Sequence, residues 1–225
     1  MAILASDLII DASEQFGDTI TYSGGVVSVD GSRVTEEDWI RYIGDALKNL
    51  ILVRPDARTK LVAHQLTADT TVQTLPDEAL RLIDIVRNMG TDGLTPGYPI
   101  TIIRKELLDD ADYTWHTATA QSYIDHYMYN LEDPYRFWVT PIPSSAIYVD
   151  MIYSYVPTLP TAGSDDVDIR DVFWAPIIHW MLYKAFMIDD EAVNTEQAIH
   201  HFNGFYTALG QEVKAGAMAS PKKKE

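Results

Sequence analysis

Residues 123–156 read YIDHYMYNLEDPYRFWVTPIPSSAIYVDMIYSYV, and this stretch decides the fold. It holds three segments rich in aromatic and branched residues, 123–131, 135–140 and 147–156, separated by turn-forming clusters that contain proline. In the third segment every second side chain is apolar or aromatic, which is typical of a strand with one buried face. These alternating residues are Ile147, Val149, Met151, Tyr153 and Tyr155. The pattern predicts three consecutive strands of an antiparallel meander.

Two helices are predicted near the start of the chain. Apolar residues spaced by about 3.6 positions predict a helix over residues 3–16 that ends at Gly17. Thr35 is expected to cap a second helix, which should end before Arg54 because a proline follows. Between the two, residues 19–34 predict a loop with a small hairpin around Ser-Val-Asp-Gly.

Two further helices are predicted after the meander. Residues 173–188 are apolar around most of a helical circumference, so this helix should be buried in a core or an interface. Pro176 should lie in its first turn, where a missing N–H does little harm. Asn194 and Gln197 resemble a capping box at the start of the last helix. The apolar stripe of that helix comprises Ala198, Phe202, Phe205, Leu209 and Val213.

The segments between the helices and the meander favour strands. Residues 60–67 and 100–103 read as strands, and residues 107–114 as an acidic turn or short helix followed by a packed Trp115. Periodicity alone does not decide between helix and strand for residues 80–87, for which a strand is favoured.

The predicted fold class is therefore α+β. Neither terminal pair of helices can bury its apolar stripe alone, so the simplest arrangement is one helical bundle built from both chain ends. The expected bundle comprises residues 1–57 and 166–218, with a central antiparallel β-rich insertion at residues 58–165. Residues 219–225 are expected to form a flexible tail.

The composition narrows the function classes. The 225 residues include 33 acidic and 17 basic side chains, for a net charge of −16. This acidic excess argues against a nucleic-acid binder, because such a protein needs cationic side chains to displace counterions from the phosphates. The excess is compatible with a surface past which DNA slides without binding, or with a role in solubility alone. The absence of cysteine excludes disulfides, thiol nucleophiles and thiolate zinc sites. No apolar run is long enough for a membrane span, so a cytosolic site of synthesis is expected.

No pattern of catalytic or ligand-binding residues emerges. Paired carboxylates could support glycosidase chemistry, but the three acidic clusters lie at helix or linker junctions, where acids commonly cap and solvate. The clusters are Asp109-Asp110-Asp112, Asp165-Asp166-Asp168 and Asp189-Asp190-Glu191. His200 and His201 adjoin on one helix and point about 100° apart, so they cannot easily share one ion. We therefore predict no catalytic residue, no metal site and no cofactor.

The ordered series of short phrases resembles the head–tail adaptor (connector) proteins of short-tailed bacteriophages. The phrases that carry the resemblance are LILVRPDA (50–57), QTLPDEALRLIDIVRN (73–88), PITIIRKELLDD (99–110), DPYRFWVTPIP (133–143), YVDMIYSYVPTL (148–159), LYKAFMIDDEAVN (182–194) and AIHHFNGFYTALG (198–210). Residues 18–34 and the final PKKKE match no phrase of the family.

The resemblance implies a structural virion protein without enzymatic activity. It implies a ring of twelve copies, seated between the portal protein and the tail nozzle protein, that continues the DNA channel and touches DNA only in passage. It implies location in the neck or tail of the virion, with host cytoplasm as the place of assembly and no membrane partner.

A contact with the portal is expected from the last helix and the chain end. The expected partner-binding residues are Phe202, Phe205, Tyr206, Leu209, Val213, Lys222, Lys223 and Lys224. Two alternatives stay open at this point: a carbohydrate- or cell-wall-binding or hydrolysing tail module that uses the meander aromatics, and a non-viral scaffold protein.

Overall fold

The structure is a computed structural model that describes residues 3–18, 21–23, 26–28, 33–145, 147–188 and 194–210. The chain divides into two compact units, one formed by residues 1–57 and 157–225 and the other by residues 58–156. The described part of the first unit is mainly helical and the second is mainly strands, so the chain is mixed α+β.

In chain order the helices are α1 (Ala5–Phe16), α2 (Glu36–Val53), α3 (Lys105–Ala111), α4 (Trp174–Phe186) and α5 (Thr195–Ala208). The strands are β1 (Ile3–Leu4), β2 (Thr21–Ser23), β3 (Val26–Ser28), β4 (Thr59–Gln65), β5 (Val72–Thr74), β6 (Ala79–Asn88), β7 (Thr101–Ile102), β8 (His126–Tyr129), β9 (Arg136–Thr140), β10 (Tyr148–Tyr155) and β11 (Asp166–Val167). Short 3₁₀ turns cover Pro55–Ala57, Trp115–Thr117 and Asp171–Phe173.

The helix ends follow the predicted local signals. Gly17 ends α1 in the left-handed region at φ 88°, which glycine adopts without a Cβ clash. The Thr35 hydroxyl accepts a hydrogen bond of 3.2 Å from the Asp38 N–H, and α2 ends at Val53, just before Arg54. The Asn194 side chain accepts from the Gln197 N–H at 3.1 Å, which confirms the predicted cap of α5.

Helix α4 is central to the first unit. It packs against α1, α2 and α5, which is why its sequence is apolar on several sides. Pro176 is the third residue of α4, inside the first turn as predicted. The largest fully buried side chains of this unit include Trp39 and Phe205, and each packs edge-on or tilted against a neighbouring aromatic ring.

The second unit contains two sheets around one core. One sheet has the order β4-β10-β6 and is antiparallel, and the other has the order β5-β9-β8-β7, in which β7 runs parallel to β8. The predicted strands at 60–67, 80–87 and 100–103 are confirmed as β4, β6 and β7. The core residues that share this interior are Leu66, Leu75, Ala79, Leu82, Ile85, Ile100, Ile124, Tyr127, Phe137, Val139, Ile147, Val149, Met151 and Tyr153.

The predicted three-stranded meander is wrong in its third strand. Strands β8 and β9 pair antiparallel as expected, but β10 lies in the other sheet between β4 and β6. The alternating residues of β10 do face the core, because alternation specifies which face is buried. Alternation does not specify the hydrogen-bonded partner, and the long link after Thr140 lets the chain change sheets.

The hairpin predicted around Ser-Val-Asp-Gly at residues 28–31 falls mostly outside the described residues. The described strands β2 and β3 pair antiparallel, with Ser23 opposite Val26. The predicted division at residue 166 stays a prediction; the second unit ends at Val156 and the first resumes at Pro157. Within the first unit, the Ala5 N–H donates to the Asp165 carbonyl at 3.0 Å, and β1 pairs with β11.

Candidate functional site

The partner-binding residues predicted on α5 fall into two groups. Phe205 and Leu209 are buried, with 0% and 3% of their surface exposed, and Phe205 packs 4.8 Å from the Trp180 ring. Phe202 and Tyr206 are only half-buried, with ring centroids 5.0 Å apart. Phe205 and Leu209 therefore fix α5 to the unit, and the accessible aromatic surface belongs to the other two. Val213, Lys222, Lys223 and Lys224 lie outside the described residues.

A partly exposed aromatic strip joins α4 to α5. We define the aromatic strip as Tyr183 of α4 with Phe202 and Tyr206 of α5. The Tyr183 and Phe202 rings lie 5.1 Å apart at 60°, an edge-to-face arrangement that fixes both side chains. Aromatic side chains that pack against the protein on one side and are accessible to solvent on the other are typical anchors of protein interfaces. The strip is therefore a candidate contact surface among the described residues of the first unit.

A histidine pair lies on the same two helices. The Nδ1 atoms of His179 and His201 are 3.0 Å apart, so one ring donates its Nδ1–H to the other. The Phe186 ring stacks on His201 with centroids 5.6 Å apart and planes 11° apart. Gly204 makes room for the pair, since a Cβ at that position would lie 2.8 Å from His179 Nδ1.

Burial lowers the pKa of both histidines of the pair. Burial is the main cause that lowers the pKa of His201 to about 4, and the neighbouring His179 and His200 lower it further. Burial also lowers the pKa of His179, with a smaller contribution from His200. A neutral imidazole has one nitrogen with a free lone pair, so one ring of this pair can accept the hydrogen bond that the Nδ1–H of the other donates.

An open groove of about 680 Å³ lies on the second unit. Its lining includes Ile102, Arg104, Lys105, Tyr129 and Trp138, and the Lys105 Nζ lies 4.9 Å from the centroid of the Trp138 ring. Among the described residues, neither cation of the groove lies within 4.0 Å of a carboxylate. The groove can therefore accept an acidic side chain beside an aromatic surface.

Three members of the acidic clusters, Asp109, Asp112 and Asp165, accept hydrogen bonds from nearby groups. Asp165 accepts from the Thr161 hydroxyl and from the N–H groups of Thr161 and Ala162, at 2.8–3.0 Å. Asp112 accepts from the Thr114 N–H and hydroxyl, and Asp109 accepts from the Trp115 indole at 2.7 Å. These hydrogen bonds give Asp109, Asp112 and Asp165 structural roles, in keeping with the capping role expected for acids at such junctions. The cluster at residues 189–191 lies outside the described part.

The meander tyrosines divide between packing and exposure. Tyr127 and Tyr153 are buried, and their hydroxyls donate to the carboxylates of Asp84 and Glu78. Burial is the main cause that raises the pKa of both phenols. Tyr123 and Tyr135 are exposed. The packing interpretation therefore applies to the first two, and the contact-surface interpretation stays a prediction for the others.

Sequence reasoning missed the histidine pair and the groove. His179 and His201 are 22 positions apart on different helices, so no local spacing connects them. Arg104 lies between the edge strand β7 and α3, and Trp138 lies in β9 of the same sheet. The two residues therefore come together at the groove only when this sheet forms. Both arrangements depend on tertiary pairing.

The described residues contain no group of three or more His, Asp or Glu side chains arranged to hold a metal ion. Within the same residues, none of the helices combines the length and apolar character required to cross a membrane.

Comparison with known proteins gives one family. The model of the SU10 adaptor protein family matches residues 4–223, nearly the whole chain. No curated protein sequence matches the chain. The match confirms the resemblance to phage head–tail adaptor proteins, and it implies a structural component of a virion. The chain belongs to the SU10 adaptor protein family.

Proposed function

We propose that this protein is the head-to-tail adaptor of a bacteriophage, a ring that joins the portal protein to the tail nozzle and continues the DNA channel. The observation that carries the proposal is the family match over residues 4–223. The ring would contain twelve copies and lie in the neck of the virion, after assembly in the host cytoplasm. The protein acts by binding its neighbours and carries out no catalytic step.

The charge of the chain supports the channel role. A net charge of −16 disfavours adhesion of phosphate groups, because a protein that holds DNA needs cations to replace the counterions. A wall of this kind allows DNA to pass without binding it. The channel function therefore requires no nucleic-acid site.

The helices of both chain ends form the part that we assign to the portal contact. Helix α4 packs against α1, α2 and α5, which supports one bundle built from the two ends. The aromatic strip offers accessible rings on the outside of α4 and α5. We assign the portal contact to Phe202, Tyr206 and the chain end, including Val213 and Lys222–Lys224.

The contact assignment is tested by substitution and deletion. Phe202→Ala combined with Tyr206→Ala should weaken binding to the portal, because these rings are accessible and their loss leaves the buried Phe205 in place. Thr207→Ala is the matched control, since Thr207 is exposed on the same helix. Deletion of residues 215–225 should also weaken binding while the far-UV circular dichroism stays unchanged. Unaltered portal affinity in both variants would remove the assignment.

Ring formation is tested by mixing the purified protein with its cognate portal. We expect a complex of fixed stoichiometry that negative-stain microscopy shows as an added ring. Failure of the two proteins to co-migrate at any of several salt concentrations would contradict the proposal.

The carbohydrate-binding alternative predicts retention on glycans through exposed aromatic faces. In the groove, the Lys105 ammonium lies over the Trp138 ring, where a sugar would stack. Unaltered retention of the Trp138→Ala variant on a glycan column would exclude this groove as the sugar site, and absence of retention of the wild type would exclude the alternative itself.

A further inference from the structure

The loop of residues 90–99, between β6 and β7, presents two large apolar side chains to solvent. Leu94 and Tyr98 each keep 81% of their surface exposed. Single exposed apolar residues are common on protein surfaces, so exposure alone does not indicate a contact. A contact surface is indicated when such residues are also held in a fixed arrangement and a complementary surface exists.

Hydrogen bonds order this loop at its tip and at its end. The Asp92 carboxylate accepts from the N–H groups of Leu94 and Thr95 at 2.9 and 3.0 Å, and from the Thr95 hydroxyl at 2.8 Å. The buried Asn88 donates to the Tyr98 carbonyl from its backbone N–H at 2.9 Å and from its side-chain amide at 3.0 Å. A loop ordered in advance loses little conformational entropy when its side chains are bound.

The groove of the second unit offers an apolar surface of suitable size. Ile102, Tyr129 and Trp138 are among its lining residues. Its volume of about 680 Å³ falls within the range of roughly 300–1,000 Å³ that encloses drug-sized molecules, so it has room for a leucine and a tyrosine side chain. The loop is convex and apolar, and the groove is its concave, aromatic counterpart.

The charges of the loop and the groove are also complementary. The groove contains Arg104 and Lys105 against one acid, Glu106. Among the described residues, neither cation lies within 4.0 Å of a carboxylate. The loop contains one charged residue, Asp92, and no cation. An approach of the loop to the groove therefore brings opposite charges together.

The loop and the groove lie at opposite ends of the second unit. The Asn88 side chain holds the loop where β6 ends and donates to the Ile124 carbonyl just before β8 at 2.8 Å. Tyr129 of the groove ends β8, and its hydroxyl accepts from the Leu82 N–H, six positions before Asn88 on β6. Six strand residues span roughly 20 Å, so the loop does not reach the groove of its own chain. Two different surfaces that meet between copies form a head-to-tail contact, which generates a ring when the rotation closes.

We propose that the loop of residues 90–99 inserts Leu94 and Tyr98 into the groove of a second copy of this chain. The two apolar side chains pack against Trp138, and Asp92 brings its charge toward Arg104. Repetition of this contact links the second units of neighbouring copies head to tail. The inference rests on the proposed adaptor ring, to which it adds the two surfaces that join one copy to the next.

The experiment is disulfide cross-linking between single-cysteine variants, which is selective because the chain has no cysteine of its own. Leu94→Cys or Tyr98→Cys is mixed with Ile102→Cys and oxidised, both as free protein at high concentration and after assembly on the cognate portal. These side chains are exposed, so the substitutions leave the core intact. Mass spectrometry of the linked peptides identifies each pair.

The control replaces Ile102→Cys by Leu61→Cys. Leu61 is 59% exposed on β4, close to the 62% of Ile102, and it belongs to neither surface. Because a disulfide requires the two Cβ atoms within about 4.5 Å, we expect at least about tenfold more linkage of the loop to position 102 than to position 61.

Each outcome decides the contact separately from the adaptor function. Equal linkage to positions 102 and 61, or no linkage to either, in both preparations would overturn the proposed contact. A ring that assembles on the portal without selective linkage to position 102 would also overturn it, while the adaptor function would stand. Selective linkage in the free protein without any portal binding would support the contact and count against the adaptor function.

Discussion

Substitution of Gly204 by alanine tests whether α5 and α4 pack through the histidine pair. The added Cβ would lie 2.8 Å from His179 Cε1 and Nδ1 and 3.0 Å from Cγ, closer than carbon and nitrogen atoms approach without repulsion. Relief requires the His179 ring to move, and movement breaks its 3.0 Å contact with His201. The structure therefore predicts that a small substitution at an interior helix position disturbs the α4–α5 interface.

The magnitude follows from two opposing effects. Overpacking a well-packed contact costs about 1–3 kcal/mol. Alanine is favoured over glycine inside a helix by about 1 kcal/mol, and position 204 is well inside α5. The net expectation is a decrease of about 0–2 kcal/mol in the free energy of unfolding of Gly204→Ala.

The effect should reverse sign when His179 is removed. In a His179→Ala background the obstacle is absent, so Gly204→Ala should raise the free energy of unfolding by about 1 kcal/mol through helix propensity. The assay is urea denaturation followed by circular dichroism, applied to all four proteins of the double-mutant cycle. Equal effects of Gly204→Ala in the two backgrounds would refute the proposed contact.

Three further predictions address pH, capping and an unpaired indole. Because His201 has a pKa of about 4 when folded and an ordinary value near 6.5 when unfolded, the unfolded chain binds more protons between these values. Stability should therefore fall as the pH is lowered from 6.5 to 4, and less so in His201→Gln, whereas parallel pH profiles would argue against the buried pair. Thr35→Ala removes the cap of α2 and should lower the free energy of unfolding by about 1 kcal/mol, with Thr35→Ser as the control that restores it. Trp180→Phe should lower the free energy of unfolding by about 1 kcal/mol less than Trp115→Phe does, as measured by urea denaturation. The reason is that the buried Trp180 Nε1 has no hydrogen-bond partner among the described residues, whereas Trp115 Nε1 donates to Asp109. An equal or greater loss in Trp180→Phe would contradict this prediction.

Local features of the fold could be predicted from the sequence. Gly17, Thr35 and Asn194 act on backbone groups within a few positions of themselves, so their roles as helix ends follow from the residue type and its neighbours. The buried face of β10 was likewise predictable, because alternation of side chains is a property of a single strand.

Pairing between distant segments could not be predicted in the same way. Strand β10 pairs with β4 and β6. Nothing in the sequence of β10 indicates that these two strands, rather than the preceding strand β9, are its hydrogen-bonded partners. The same reason hides the contact of His179 with His201, which requires α4 and α5 to meet at one register. It also explains why Phe205, assigned from its stripe to partner binding, is buried inside the unit.

The most direct test of the central claim is the stoichiometry of the complex between this protein and its cognate portal. Negative-stain microscopy with mass measurement should show one added ring per portal, with twelve copies of the chain in a single, saturable assembly. Separate migration of the two proteins at every salt concentration, or binding without a closed ring, would contradict the proposed head-to-tail adaptor.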